Sequence, residues 1–396
     1  MPELSMDNSI VFNDQRQDLR IECIRAIDKV ASVREDWDDL AQRCPDAFAF
    51  QTFEWVLSWW STFGADAQPL ILTVRAGTRL VGLAPLMVLD RGMLGRSRRV
   101  IQFMASHYGD FLNILLDPEF PLALEQIMGY LYSLDSEWDL IYMTDVSSES
   151  LLVGEAAKWF GGGRFKTVFK PLYVAPTYCV GDPQQDRRIL RKQHERRARK
   201  ALQRAGKMEK ITCQTVEEGL GRLEQFFACH VARWENTDTP SEYRDPQQRE
   251  HMRAVVRLLL PAGYLKIWVL LLDGEPLAFS FVVEFGKKLV LYRLAYDLAY
   301  AKLSPGAVLN MMMFEYAITN HLTEVCLGVG DEGYKKRFSN AARQTYEMRI
   351  YRRAWSYWID RLLIAMRDWV RPVMERSRLL RPIGLYVRAR WPDLQR

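Results

Sequence analysis

The chain has 396 residues and a formal net charge of +5. That length holds two domains with separate cores, and so mild a charge argues by itself neither for nucleic acid nor for membrane. Cysteines 23, 44, 179, 213, 229 and 326 are scattered, with no Cys-x-x-Cys pair and no Cys/His spacing suited to zinc. They read as reduced thiols of a cytosolic protein, and no metal is expected. The polar start MPELSMDNSIVFNDQRQD lacks a basic stretch followed by an apolar core, so no signal peptide is expected. No run approaches the roughly 20 apolar residues that span a bilayer. A soluble or at most peripheral protein is predicted.

Residues 1–18 read as a loose tail. Leu19–Ile27 predicts a strand and Val33–Gln42 a short helix. Phe50–Trp60 predicts a second helix, with Thr52 as its cap and an aromatic stripe that reads as core. Strands at Pro69–Arg75 and Arg79–Val88 are joined by the hairpin signal Ala76-Gly77-Thr78. Another pair is expected at Ser97–Met104 and Asp110–Leu116, then a helix at Leu122–Leu134 and a strand at Trp138–Thr144. Gly161-Gly162-Gly163-Arg164 precedes a run to Val180, and Gly181-Asp182-Pro183 marks a boundary between domains 19–181 and 182–352.

The second domain opens with Arg187–Lys207, densely basic, helix-compatible, and with Glu195 as its sole acid. It reads either as a solvated face or as a phosphate-binding one. Nothing beside it resembles a duplex-reading motif, so no specific nucleic-acid partner is expected. Helices follow at Glu217–Trp234 and Gln247–Leu260, separated by the loop Asn236–Pro246. Leu265–Leu272, Leu277–Phe285 and the strand from Leu289 form a meander through the turns Asp273-Gly274-Glu275-Pro276 and Gly286-Lys287-Lys288.

The chain is organised around Leu289–Phe338. An apolar run to Ala295 ends in Tyr296-Asp297-Leu298-Ala299-Tyr300. Ser304-Pro305-Gly306 then opens a helical pattern from Ala307 to about Asn320, and Val325–Val329 closes on Gly330-Asp331-Glu332-Gly333. Strand, helix, strand in this order predicts a right-handed crossover between parallel strands. At the helix entrance Ser304 suits the N-cap, Pro305 the first helical position, and Gly306 a close ligand approach. First-turn amides have no intrahelical acceptor and the dipole favours an anion there. No acid lies between Asp297 and Glu315, and Lys302 adds positive charge. Such an entrance can hold a pyrophosphate on Ser304, Pro305, Gly306, Ala307 and Val308.

The unit recurs. PLILTVRAGTRLVGLAPLMVLDR corresponds to LKIWVLLLDGEPLAFSFVVEFGK, and DPEFPLALEQIMGYLYSLDSEWDLIYMTDV to SPGAVLNMMMFEYAITNHLTEVCLGVGDEG. The first copy has Asp117, Glu119 and Glu125 around its helix start, where acids repel phosphate. Any cofactor is therefore expected in the second half.

This order of elements resembles the GNAT acyltransferase fold, and its duplication resembles the CelD-like acetyltransferases of cellulose and other polysaccharide biosynthesis, relatives of the FemAB peptidoglycan aminoacyltransferases. The residues that carry the likeness are Phe53-Glu54-Trp55, Trp59 and His107-Tyr108-Gly109-Asp110 in the first copy. In the second they are the Arg-rich helix, Tyr296-Asp297, Tyr300, Ser304-Pro305-Gly306, Gly330-Asp331 and Tyr334-Lys335-Lys336-Arg337-Phe338. The Asp-Phe usual on the family's final strand is replaced by Cys326-Leu327-Gly328-Val329, and Arg-x-x-Gly-x-Gly is missing.

The resemblance implies an α/β (α+β) tandem GNAT fold of two mixed-sheet copies. Acetyl-CoA or another acyl-CoA would lie between the central strands of the second. Asp297 is then the expected base or acceptor-orienting group, Tyr292 and Tyr296 the candidates to protonate the leaving sulphur, and Lys335 a contact to an anionic acceptor. Asp331, Tyr334, His107 and Asp110 complete the expected acceptor side. The bland alternatives are a turn role for Asp297, packing for the tyrosines and an exposed Lys335.

Beyond the resemblance, 353–396 is basic. Trp355, Trp358, Ile359, Leu362, Leu363, Met366, Trp369 and Val370 share one helical face that Pro372 is expected to end. This C-terminal amphipathic helix predicts either packing on its own domain or contact through 353–371 with the inner membrane or a synthase. Together these features predict a cytoplasmic acyl-CoA-dependent acyltransferase with a small-molecule or saccharide acceptor in polysaccharide biosynthesis. The rivals are aminoacyl-tRNA-dependent transfer and a catalytically silent binding module.

Overall fold

The computed structural model describes residues 19–93, 96–235, 237, 240–330 and 333–376. It is a mixed α/β tandem fold. The first half runs β1 (Leu19–Ile24), α1 (Arg34–Arg43), α2 (Phe53–Phe63), β2 (Ala67–Ala76), β3 (Arg79–Met93), β4 (Arg96–Phe103), β5 (Leu115–Leu116), α3 (Leu122–Ser133), β6 (Leu140–Ser147), α4 (Leu152–Phe160) and β7 (Lys166–Cys179). The second runs α5 (Pro183–Leu190), α6 (Gln193–Ala205), β8 (Met208–Thr212), α7 (Val216–Gly221), α8 (Leu223–Trp234), α9 (Pro246–Leu259), β9 (Leu265–Leu272), β10 (Glu275–Phe285), β11 (Lys288–Tyr296), α10 (Pro305–Thr319), β12 (Glu324–Cys326), α11 (Gly333–Lys336) and β13 (Ala341–Tyr351). α12 (Ala354–Arg376) follows.

Local chemistry accounts for many of these boundaries. Thr52 Oγ1 accepts the Trp55 amide at 3.3 Å and starts α2. Asp182 caps α5 ahead of Pro183, and Asp245 caps α9 ahead of Pro246. Asp273 and Gly274, both at positive φ, close the β9–β10 hairpin.

The strands form one sheet in the order β1-β2-β3-β4-β6-β13-β7-β12-β11-β10-β9-β8, with β5 pairing to β3. In each half an antiparallel meander meets a parallel partner after a crossover helix: β4 with β6, and β11 with β12. The last strands are exchanged. β13, from the second half, lies between β6 and β7, while β7, from the first half, lies between β13 and β12. The two copies are thus joined by hydrogen bonds along the middle of a continuous sheet.

Side chains follow the same plan. α5, α6 and α10 cover one face of the second half, over Trp268, Leu270, Leu289 and Val325. The opposite face shares a core with the first half, including Trp37, Trp55, Phe226, Phe281 and Tyr292. α2 packs on α9 across the halves.

Several expectations shift. The strand expected over Asp110–Leu116 reduces to β5, because Ala105, His107 and Phe111 take positive φ and coil the segment that precedes it. β12 stops at Cys326 rather than Val329, where Gly328 and Gly330 turn at φ +79° and +120°. The basic stretch is two helices, broken at Lys192, whose ψ of 126° is not helical. Glu217–Trp234 also divides, at Arg222. α4, β8 and β13 were not anticipated.

α12 continues past Pro372, since a proline removes one backbone hydrogen bond and need not end a helix. One side of α12 is docked. Asp360 accepts from Arg98 at 2.8 and 3.1 Å, and Tyr357 packs edge-on against Tyr351.

Candidate active site

β11 and β12 pair only through Lys288–Val290 against Glu324–Cys326, although β11 continues to Tyr296. Beyond that ladder no strand pairing joins Leu291–Tyr296 to Leu327–Gly330, a gap in the pairing of the sheet. The two segments still approach at Gly328, where a Cβ would lie 3.5 Å from the Leu291 carbonyl oxygen. On its other edge β11 carries a bulge. Phe281 lies opposite Arg293 and Val282 opposite Leu291, so Tyr292 is an extra residue. A bulge re-aims side chains and takes a residue out of the ladder, which is why bulges recur beside active sites. In the first half β4 and β6 also pair briefly, but the β3–β4 ladder is regular.

On one face of the gap stands the entrance to α10. Its first turn has no acid. Ser304 sits at the N-cap position but in the left-handed region, and its side chain caps nothing, contrary to expectation. Its carbonyl accepts from the Ala307 amide at 3.0 Å. Gly306 faces β11 so closely that a Cβ there would lie 3.1 Å from Leu294 and 3.4 Å from Tyr296. Close helix–strand packing, rather than room for a ligand, requires this glycine. One turn on, the carboxamide oxygen of Asn310 is buried and meets no hydrogen-bond donor among the described residues. Lys302 is exposed on the preceding turn. An acid-free helix start and an orphaned buried amide fit the phosphates and amide-bearing arm of a CoA thioester.

In the first half the corresponding helix start is closed. Asp117 is buried against Arg43 at 2.9 Å and Arg79 at 2.7 Å. Hydrogen bonds from the Glu119 amide and Arg43, with the charge of both arginines, outweigh its burial and hold its carboxyl below the ordinary range.

The opposite face of the gap is lined from both halves. Asp110 reaches across from the first half: Val329 N–H points at its Oδ2 at 3.4 Å. Burial, with the nearby Asp145 second, pushes the Asp110 carboxyl up to about 6, against the opposing charges of Arg293 and Lys335. Tyr292 is buried edge-on against Trp55 at 5.1 Å, with the Arg293 guanidinium 4.2 Å above its ring. Burial raises the Tyr292 hydroxyl well above its ordinary value, so it stays protonated at neutral pH. Arg293 is held by Glu242 at 2.9 Å and the Tyr243 hydroxyl at 3.1 Å. Tyr108 accepts from Gln248 at 2.7 Å, and Lys335, buried, donates to the Val329 carbonyl at 2.7 Å. His251 packs against Trp55 and Tyr108, and burial lowers its pKa to about 3, so it stands as a neutral packing group.

Of the residues expected at the site, Asp110, Tyr292 and Lys335 come together at the gap. Tyr296 lies on the α10 side, under the Arg233 guanidinium at 4.9 Å. The Asp297 carboxylate accepts from the Ala299 amide at 2.9 Å and caps the turn that follows β11. His107 stands beside Tyr142 in the first half, ring centroids 6.1 Å apart. Asp331 and the Tyr334 side chain lie outside the described residues. Arg293, Glu242, Gln248 and Asn310 were missed. Only an Arg inside an apolar strand, and an Asn one turn beyond Gly306, hinted at two of them.

Among the described residues no group of His, Cys, Asp and Glu could hold a metal ion, and no helix is long and apolar enough to cross a membrane.

Comparison with known proteins agrees with the geometry. A family model described as an acetyltransferase (GNAT) domain matches residues 190–336, the half that contains the bulged strand and α10. No curated protein matches the sequence. Among solved structures, FemX aligns over 82% of this chain and 96% of its own at 12% identity and a TM-score of 0.58. The C-terminal domain of a putative lysylphosphatidylglycerol synthetase from Agrobacterium fabrum aligns over 86% and 96% at 13% identity, TM-score 0.54. L-PGS from Bacillus licheniformis aligns over 83% and 94% at 14% identity, TM-score 0.50. At such identities the likeness is one of fold. Residues 190–336 therefore match a GNAT-type acetyltransferase domain, set within a chain whose fold is similar to that of FemX.

Proposed function

We propose that the protein moves an acyl group, acetyl first among the candidates, from acyl-CoA to an amine or hydroxyl acceptor. The observation that carries this reading is the gap beside the Tyr292 bulge, with an anion-suited helix start on one face and Asp110 on the other. The thioester arm enters from the α10 face and the acceptor from the cleft between the halves. The acceptor heteroatom attacks the thioester carbonyl carbon, its proton passes to the Asp110 carboxylate, and the carbon–sulphur bond breaks. A carboxyl poised near 6 is ionised at neutral pH yet basic enough for that task. The Tyr292 hydroxyl is too weak an acid to give up its proton outright. It acts as a hydrogen-bond donor to the oxyanion or the departing sulphur, beside any amide the bulge releases. Holding both substrates in one geometry supplies much of the remaining acceleration.

The CelD-like order of elements supports a saccharide acceptor in polysaccharide production, and the six unpaired cysteines suit a reducing cytoplasm. A second reading, transfer from aminoacyl-tRNA, is favoured by one feature: Gln184, Arg187, Arg188 and Arg191 line a concavity of about 420 Å³ on α5.

Thermal shift tests the first reading. CoA or acetyl-CoA at about a hundred times its Kd should stabilise the fold by about 2.7 kcal/mol. For a chain of this length that is a Tm rise of about 3 °C. Ala307→Glu, a half-exposed position in the first turn of α10, should abolish the response. It favours the helix dipole and so should not unfold the protein. Gly306 is unsuitable for this test because of its contact with Leu294. A variant that responds like the parent, or a parent stabilised by tRNA and not by CoA, refutes the placement.

A further inference from the structure

We propose that α12 docks the protein on an anionic lipid surface, its outer face lying in the headgroup layer. Among the described side chains of this helix, five large apolar ones are exposed: Trp355 46%, Trp358 66%, Leu362 60%, Met366 53% and Trp369 78%. Their spacing of three or four residues puts them in a single stripe. The stripe is not a frayed end. Ser356 and Asp360, on the other side, are buried, and the Arg98–Asp360 pair sets the rotation of the helix against β4. With that pair formed, the tryptophans face away from the body of the protein.

Soluble proteins rarely leave so long an apolar stripe in water. Three tryptophans in it suit the boundary between headgroups and acyl chains, where an indole has an apolar body and a polar N–H. The charge around the stripe selects the surface. Arg353 and Arg361 are exposed beside it. From 353 to 396 the sequence has ten Arg, no Lys and four acids, an excess of six against +5 for the whole chain. One of those acids, Asp360, is neutralised by Arg98. Of that excess, 353–376, which carries the exposed tryptophans, supplies two (five Arg against three acids), and 377–396, which follows it in sequence, supplies four (five Arg against one acid). A basic face flanking an apolar one is the pattern of a helix lying in the plane of an anionic bilayer. A second copy of this chain would bring the same positive charge against itself, which argues against a dimer through α12.

Sedimentation of the full-length protein with sucrose-loaded vesicles tests this. The protein should pellet with phosphatidylglycerol/phosphatidylcholine vesicles, stay in the supernatant with pure phosphatidylcholine, and be released as salt is raised. The triple variant Trp355→Ser, Trp358→Ser, Trp369→Ser should lower the bound fraction about tenfold or more while keeping the parent's Tm. Failure of the parent to pellet with anionic vesicles overturns the proposal. So does a triple variant that pellets like the parent. Analytical ultracentrifugation without lipid supplies the remaining outcome: a dimer of the parent that the triple variant makes monomeric would assign the stripe to a second copy.

Discussion

Asp110→Asn should lower turnover by about 10² to 10⁴-fold, the range typical of losing a general base. It should leave acyl-CoA binding unchanged, because Asp110 lies on the face of the gap opposite α10. The pH profile separates this role from a structural one. With the carboxyl at about 6, kcat/KM for the parent should rise with pH through that region and level off above it. The residual activity of the Asn variant should not show that rise. Stability should move the other way. A carboxyl whose folded pKa exceeds its unfolded value favours the fold at low pH, and that contribution is lost as pH rises from about 4 to about 6. Above that range Asn at 110 should stabilise the protein by roughly 1–3 kcal/mol, since it removes a partly buried charge and can still accept from the Val329 amide. A variant with normal turnover, or one that is less stable and keeps the rise near pH 6, would remove Asp110 from the reaction.

Fragments 1–181 and 182–396, expressed apart, should show no cooperative unfolding transition; expressed together, they should recover it along with the CoA response. The exchanged strands are the reason. In the first fragment nothing would fill the place between β6 and β7 that β13 occupies. In the second, β13 would lie one strand-width from β12 with β7 missing between them. Each fragment would expose long unpaired edges in mid-sheet, a recipe for aggregation rather than a stable domain. A monomeric, cooperatively melting 1–181 would falsify this account of the shared sheet.

Much of the chain could be read locally. The meander β9–β10–β11, the α10 crossover, the repeat and the Thr52 cap are set by periodicity and turn chemistry within about 20 residues, and they stand as expected. β13 escaped because its buried face carries Thr345 and Glu347, polar side chains satisfied by distant partners, which blurs the apolar alternation of a strand. Asp297 drew attention as a carboxylate at the end of a central strand, but in the folded chain it is a local cap.

By itself, then, the sequence determined the two α/β repeats, the acid-free start of α10, and the basic, Trp-bearing end of the chain. Only the tertiary structure decided which acid faces the gap, that the repeats share strands, and which side of α12 is exposed. Asp110 and Val329 meet across 219 positions, and Arg98 and Asp360 across 262. Contacts at that separation arise from the packing of whole elements. No pattern in the neighbouring residues records them.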